Sequence, residues 1–397
     1  MRLRIFLVST LMVFLVSACD SSGPLTESEE PPSNQDSVFL ALVNGTLIDG
    51  TGSDPVCDAV IVIEGEHIVA VGKRAQVSIP PNTPTIDVQG ATLLPGFINA
   101  HVHHAYAREA LIAWAQSGVT TVRDLGNNGD PAELFAFRDE VAEDPKYARL
   151  VTAGPMLTVP GGYGNRPITS TEDARQTVTA LLDGGANLIK IGIEDNLQGR
   201  SWPMLSIEEI TAIVETAHAR HAPVSAHISR SDHLALALET GVDDVAHMIV
   251  DDLPDDLIAR MIQEEVHWEP TLELWQCVST LHHLDWDARA IDNLRRFSRA
   301  GGKVALGTDY GGYSCDFDFG MPMSEIELML QADMTPMQII VAATHNAAHV
   351  CNLEEQLGTL EPGKLADILV VAGNPLNEIQ AITDVQLVVH NGVIIRR

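Results

Sequence analysis

The tract Leu94-Pro95-Gly96-Phe97-Ile98-Asn99-Ala100-His101-Val102-His103 ends in two imidazoles separated by one residue. Side chains two apart on a strand point to the same side, so His101 and His103 can reach one ion from the end of an extended segment. An H-x-H pair alone is a common pattern. Its company gives it weight: Lys190 lies near the end of NLIKIGI, His227 ends PVSAH, His247 ends DDVAH and Asp309 ends VALGTD. Each run reads as a strand with its polar residue at the C-terminal end. Imidazole and carboxylate groups gathered at one rim form the donor set of a divalent-metal centre. Each residue also has a plainer role open to it. Lys190 could pair with Asp124 or Glu194, His227 and His247 could be hydrogen-bonded interior histidines, and Asp309 could cap a helix. The other histidines, His104 included, read as structural or surface residues.

The elements that must position these groups follow from periodicity. FINAHV, VTTVRDL, ARLVTAG, NLIKIGI, APVSAHI, DDVAHMI, VHWEPTL and KVALGTD are apolar strand-like runs separated by helical stretches. In SIEEITAIVETAHARH, residues Ile207, Ile210, Ile213, Val214 and Ala217 recur at helical spacing. Alternating strand and helix imply a parallel sheet. Eight such units in about 260 residues predict an α/β chain with a (β/α)8 TIM-type barrel over residues 95–356, whose chemistry sits at the C-terminal strand ends. A doubly wound open sheet lacks support, since no G-x-G-x-x-G or G-x-x-x-x-G-K-[ST] fingerprint follows a first strand. Residues 38–94 and 357–397 alternate at period two between Gly and Asn punctuation, which predicts a small β-sandwich domain built from both termini.

With 397 residues, 45% of them apolar and 5% aromatic, the chain can fill a large aliphatic core. The net charge of −30, from 24 Lys+Arg against 54 Asp+Glu, repels phosphate backbones and excludes a nucleic-acid partner. Such a field suits cationic or neutral small molecules, and serves solubility equally well. At the N-terminus, Arg2 and Arg4 precede an apolar run from Ile5 to Val16 that is short for a bilayer span. Val16-Ser17-Ala18-Cys19 resembles the lipobox of bacterial lipoproteins. That resemblance implies a signal peptide over 1–18, lipidation of Cys19, a flexible tether over 19–37, and an exported, membrane-anchored protein on the periplasmic or cell-surface side. An ordinary secretory signal with an incidental Cys19 is the competing reading. Cys57, Cys277, Cys315 and Cys351 form no C-x-x-C, so a thiolate zinc site has no support, while a disulfide stays open.

Taken together, the motifs resemble the amidohydrolase superfamily, in particular its imidazolonepropionase-like and prolidase-like binuclear members. The resemblance rests on L-P-G-F-x-x-x-H-x-H, on Thr344, Asn346, Ala347 and Ala348 of T-x-N-A-A, and on the closing L-G-x-L-x-x-G-K-x-A-D from Leu357. It implies two divalent ions, with Zn²⁺ the first choice. His101, His103 and Asp309 would hold the buried ion, His227 and His247 the more exposed one. Lys190 would bridge them as a CO2-derived carbamate. The reaction implied is attack of a metal-bridging hydroxide on a carboxamide, with Asp309 passing the proton to the leaving nitrogen. A dipeptide or N-acyl amino acid is the expected substrate; a deaminase or a cyclic amide or lactone hydrolase is the alternative within the superfamily, and a non-catalytic binding lipoprotein the alternative outside it. A bridging Lys190 argues against the mononuclear deaminases. The pattern departs from dipeptidase-like relatives at His227-Ile228-Ser229-Arg230 and Ala246-His247-Met248, where H-A-Y or H-A-H and E-H-G are frequent. For substrate contacts, the glycine-rich loop Pro160 to Arg166 would bring Tyr163 over the site, with Arg166 or Arg230 clamping a carboxylate. The loop Tyr310 to Asp318 is a second specificity element, and a homo-oligomer is compatible with the sequence.

Overall fold

The computed structural model describes residues 39–397 apart from Gln198; the signal segment 1–18, Cys19 and the tether 19–37 lie outside the described residues. The apolar runs become parallel strands. Phe97–Val102, Val119–Asp124 and Arg149–Thr152 pair side by side, with Ile98 beside Thr121 and Thr121 beside Arg149. Ile189–Gly192, Val224–His227, Asp244–Ala246 and His267–Glu269 continue in the same sense, with Lys190 beside Ser225, Ser225 beside Asp244 and Asp244 beside His267. Helices cover the outside of the ring and side chains fill its inside, which is why these strands are apolar on both faces.

Two joints close the ring. Asn187 N donates to Thr152 O at 2.9 Å, linking the third run to the fourth. The eighth run is irregular beyond a bridge at Val304, yet its backbone serves both neighbours. Trp268 N donates to Lys303 O at 3.0 Å, Ala305 N to Trp268 O at 2.9 Å and Ala100 N to Leu306 O at 2.8 Å. The result is a (β/α)8 barrel. Its helices carry the signals expected of them. Ser206 and Glu209 form a reciprocal capping box at the start of Ile207–His218, whose Ile210, Ile213, Val214 and Ala217 are buried.

A second sheet mixes strands from both ends of the chain. Its order is Val393–Arg396, Val385–His390, Ile368–Val371, Thr92–Pro95, Phe39–Leu47, Val56–Glu64 and His67–Lys73, with Thr85–Asp87 also beside Phe39–Leu47. Leu42, Ile61, Leu93, Ile368 and Val389 are in its own buried core. Thr92–Pro95 passes into the first barrel strand through Gly96, where a Cβ would meet Thr120 Oγ1 at 2.2 Å. Only glycine fits that junction, so the sheet is joined directly to the strand bearing His101.

Inside the barrel lies a fully buried guanidinium. Arg123 donates through Nε to Ala100 O at 2.7 Å, through Nη1 to Val350 O at 2.6 Å, and through both terminal nitrogens to Asp244 at 3.2 and 3.1 Å. Its Nη2 also donates to Glu269 Oε1 at 2.5 Å. Asp244 and Glu269 are themselves 0% exposed, so the charge of the guanidinium is met within the barrel.

The helix Leu272–His282 starts against another buried carboxylate. Leu272 N and Glu273 N donate to Glu325 at 3.0 and 2.8 Å. Burial pushes the Glu325 carboxyl up to about 8 despite those donors. The folded protein then keeps a proton that the unfolded chain releases above its ordinary value near 4.5. Stability from this group is therefore complete below that value and falls as pH rises towards 8. In Glu325→Gln, the decline of melting temperature between pH 5 and pH 8 should be shallower than in the parent, measured by scanning calorimetry. An unchanged slope would contradict the assignment.

Candidate active site

His101 sits at the end of Phe97–Val102 and His103 one residue beyond it, on the strand that meets the eighth run. That contact brings Asp309 to both: His101 Nε2 is 3.1 Å and His103 Nε2 3.0 Å from Asp309 Oδ1. Donor atoms of the three residues lie within 4.8 Å of one another. The imidazoles then continue around the rim. Ring centroids are 4.8 Å apart for His101 and His247, and 4.6 Å for His247 and His227. Lys190, one strand over, shares the same cavity of about 390 Å³ with all four histidines and Asp309.

The backbone is bent to make this possible. His247 and Asp309 adopt positive φ values of 73° and 63° in the left-handed region. Gly312 folds back over Asp309, where a Cβ would meet the carboxylate at 2.3 Å. Two imidazoles are held by their far nitrogens: His103 Nδ1 lies 2.9 Å from Gly126 O, and His247 Nδ1 lies 2.9 Å from Thr271 Oγ1. With Nδ1–H donating to the Gly126 carbonyl, Nε2 is the His103 nitrogen that faces Asp309 and the cavity.

Burial sets the protonation states. It lowers His101 to about 3 against the pull of Asp309, and lowers His227 and His247 as well, so these rings are neutral lone-pair donors. Burial alone would raise Asp309, but His101 and His103 hold its carboxyl well below the ordinary range. Burial opposes charge on His103 too, yet Asp309 lifts its imidazolium to about 9. Lys190 is lowered by burial to about 8.

The plainer roles are not adopted. Among the described residues Lys190 has no carboxylate partner and only a long 3.3 Å contact from Nζ to Ser225 Oγ. Asp124 accepts instead from Ala105 N and Gly126 N, and Glu194 accepts from Asn196 N. Asp309 caps no helix; it opens a tight turn with Gly312 N on its carbonyl. Among the described residues, buried His101 Nε2 lies 3.1 Å from Asp309 Oδ1 without forming a hydrogen bond. A buried imidazole nitrogen facing a carboxylate without a hydrogen bond is costly in a protein interior and is relieved by a cation. The donor set fits divalent ions.

Of the residues expected to contact substrate, Tyr163 lines the cavity. Its ring stacks on His227 with centroids 4.3 Å apart, and the loop is drawn in because Gly192 leaves room for Tyr163 O, which a Cβ would meet at 2.1 Å. Arg166 and Arg230, the other two, do not line the cavity. Arg166 is exposed and outside the cavity wall, while Arg230 turns to Asp232 at 3.2 Å and Asp251 at 3.9 Å. The guanidinium in the wall is Arg200, on the hairpin formed by Asn196–Leu197 and Arg200–Ser201. Sequence offered no sign of it, since a two-residue strand pair has no readable period. His104 also reaches the cavity mouth, although exposed and with a φ of 56°.

Cys277 and Cys315 form a disulfide between the helix Leu272–His282 and the loop after Asp309. Leu274, Trp275 and Val278 of that helix line the cavity opposite Gly311, Gly312 and Tyr313 of the loop, so the bond ties two walls together. Closing a 38-residue separation contributes about 3–4 kcal/mol by chain entropy. Cys315→Ser should lower the melting temperature by several degrees and raise KM more than it lowers kcat. Steady-state kinetics of parent and variant check this; unchanged KM would show that the loop is held without the bond.

The Amidohydrolase family model matches residues 92–395. Ochratoxinase of Aspergillus niger is 24% identical over 87% of this chain and 84% of its own length. Imidazolonepropionase of Symbiobacterium thermophilum is 25% identical over 77% of this chain and 82% of its own length. A solved Xaa-Pro dipeptidase with bound methionine superposes with a TM-score of 0.80 at 24% identity, covering 90% of this chain and all of that one. From the barrel, the match and the site, the chain belongs to the amidohydrolase family and is a hydrolytic enzyme acting on carbon–nitrogen bonds.

Proposed function

We propose that the enzyme hydrolyses the carboxamide bond of a dipeptide or an N-acyl amino acid at a centre of two divalent ions. The observation that carries this is the convergence of His101, His103, His227, His247, Lys190 and Asp309 on one cavity from separate strand ends. His101, His103 and Asp309 would hold one ion, His227 and His247 the other. Imidazole and carboxylate donors suit Zn²⁺. Among the described residues Asp309 is the one carboxylate in the cavity wall, too little charge for two dications. A carbamate on Lys190 answers that deficit, and an amine brought to about 8 has the neutral fraction that addition to CO2 requires. Bound divalent ions supply Lewis acidity towards a carbonyl and lower the pKa of water.

The chain's own residues account for the remaining work. Asp309, kept ionised, accepts the proton of the attacking water and delivers it to the leaving nitrogen. Tyr163, Trp202, Leu274 and Trp275 wall the cavity with apolar surface that excludes bulk water and receives an apolar side chain. Arg200 offers a bidentate seat for the substrate carboxylate. The similarity to an ochratoxinase and an Xaa-Pro dipeptidase supports an amide substrate.

Metal-reconstituted protein should hold about two ions per chain and cleave members of a panel of dipeptides, N-acyl amino acids, lactams and lactones. Lys190→Ala should lose most of one ion, by elemental analysis, together with activity; two ions and full turnover in that variant would sink the proposal. Arg200→Ala should raise KM about 10–100-fold for substrates with a free carboxylate and leave their carboxamide analogues nearly unaffected.

We also infer an exported lipoprotein anchored through Cys19, a reading with which the Cys277–Cys315 disulfide agrees, since such bonds persist in oxidising compartments. Cys19→Ser should move the protein from the membrane to the soluble fraction of its host. Retention in the membrane would refute the anchor.

A further inference from the structure

Glu194 belongs to none of the roles assigned so far, yet it is 1% exposed and lies just past the strand that carries Lys190. A carboxylate buried so completely needs partners for both oxygens. Oε1 accepts from Asn196 N at 3.0 Å. Among the described residues Oε2 has no hydrogen-bond partner, and it lies 3.5 Å from Nε2 of His227, an atom equally buried and equally unpartnered. The two groups are held face to face by the backbone, because Ile193 N donates to His227 O at 3.0 Å. Glu194 is not part of the cavity wall, whereas His227 is.

We infer that Glu194 is a positioning residue that keeps the proton of His227 on Nε2, so that Nδ1 turns its lone pair to the cavity. The inference rests on the metal-centre reading above and concerns which nitrogen that centre uses. An imidazole presents one lone pair when neutral, and the group at its other nitrogen decides which. At His103 and His247 the far contact is at Nδ1, to Gly126 O and Thr271 Oγ1, leaving Nε2 for the site. At His227 the arrangement is reversed: the far contact is at Nε2. Tyr163 stacks on the ring at 27° between planes, and His247 meets it at 68°, so the ring has neighbours that fix its plane while Glu194 fixes its tautomer. A carboxylate at that place also makes the ring a stronger donor than the neutral oxygens behind His103 and His247 can.

The test uses the full-length chain as parent, Glu194→Ala, Glu194→Gln, His227→Ala and the Glu194→Ala/His227→Ala double variant. Zn²⁺ affinity is read by chelator competition, and the ¹⁵N shifts of His227 are read in ion-free protein. In the parent, His227 should show the Nε2–H tautomer; in Glu194→Ala it should become a mixture. Affinity for one of two Zn²⁺ ions should fall about 10–100-fold in Glu194→Ala, the other ion being unaffected, and Glu194→Gln, which keeps an acceptor oxygen, should recover most of it. In the His227→Ala background, removing Glu194 should cost nothing more. An Nδ1–H tautomer in the parent, an undiminished affinity in Glu194→Ala, or a full additional loss in the double variant would overturn the inference, the last by making Glu194 a ligand in its own right. A parent with the stated tautomer that takes up no Zn²⁺ would overturn the metal centre and the use of Nδ1 with it. If the Glu194→Ala melting temperature collapses, the decision passes to Glu194→Gln: full parental affinity upholds the positioning role, and a loss as large as that of His227→Ala overturns it.

Discussion

One buried guanidinium holds the barrel to its site. Arg123 reaches the carbonyl of Ala100, next to His101, and the carboxylates of Asp244 and Glu269 on two further strands. Removing a single partner from such a cluster costs about 3–5 kcal/mol, because the charges left behind are stranded away from water. Burial, with Asp244 beside it, pushes the Glu269 carboxyl well above its ordinary range, and Lys190 stands within the field of the cluster. Glu269 faces Arg123 with Oε1 and His101 Nδ1 with Oε2, the latter at 3.8 Å. The same carboxylate thus belongs to the scaffold and to the floor of the site. Strand spacing and the electrostatics of the imidazoles are therefore not independent quantities here.

Much of this was legible in the chain itself. Runs such as NLIKIGI and PVSAHI declare themselves by unbroken apolar character, and the polar residue that ends each one marks the rim of the barrel. His101, His103, Lys190, His227, His247 and Asp309 could be picked out because barrel geometry converts "end of a strand" into "near one another". The eighth run was legible as an apolar segment but not as a closing joint. Its pairing is divided between two neighbours and depends on backbone positions that side-chain pattern does not record.

The loops were far less legible, and for a physical reason. Arg166 and Arg230 are near the site in sequence, but a guanidinium on a long stem goes to whichever carboxylate lies within reach, and for Arg230 those are Asp232 and Asp251. Arg200 faces the cavity only because a short hairpin turns it there. Glu194 was visible merely as a possible partner of Lys190. Its position opposite His227 follows from the register between two neighbouring strands, set by bonds such as Ile193 N to His227 O. The disulfide is of the same kind: pairing Cys277 with Cys315 requires knowing that a helix and a distant loop share a wall.

The sheet that carries the first barrel strand has a consequence for how the molecule comes into being. Ile368–Val371 lies between Thr92–Pro95 and Val385–His390, so a segment made much later in synthesis is inserted beside an earlier one. Until the ribosome has delivered Ile368–Val371, Thr92–Pro95 has an unsatisfied edge. Contacts so remote along the chain form slowly, and a nascent polypeptide of this design stays unfinished, and in need of protection from aggregation, until that later strand emerges.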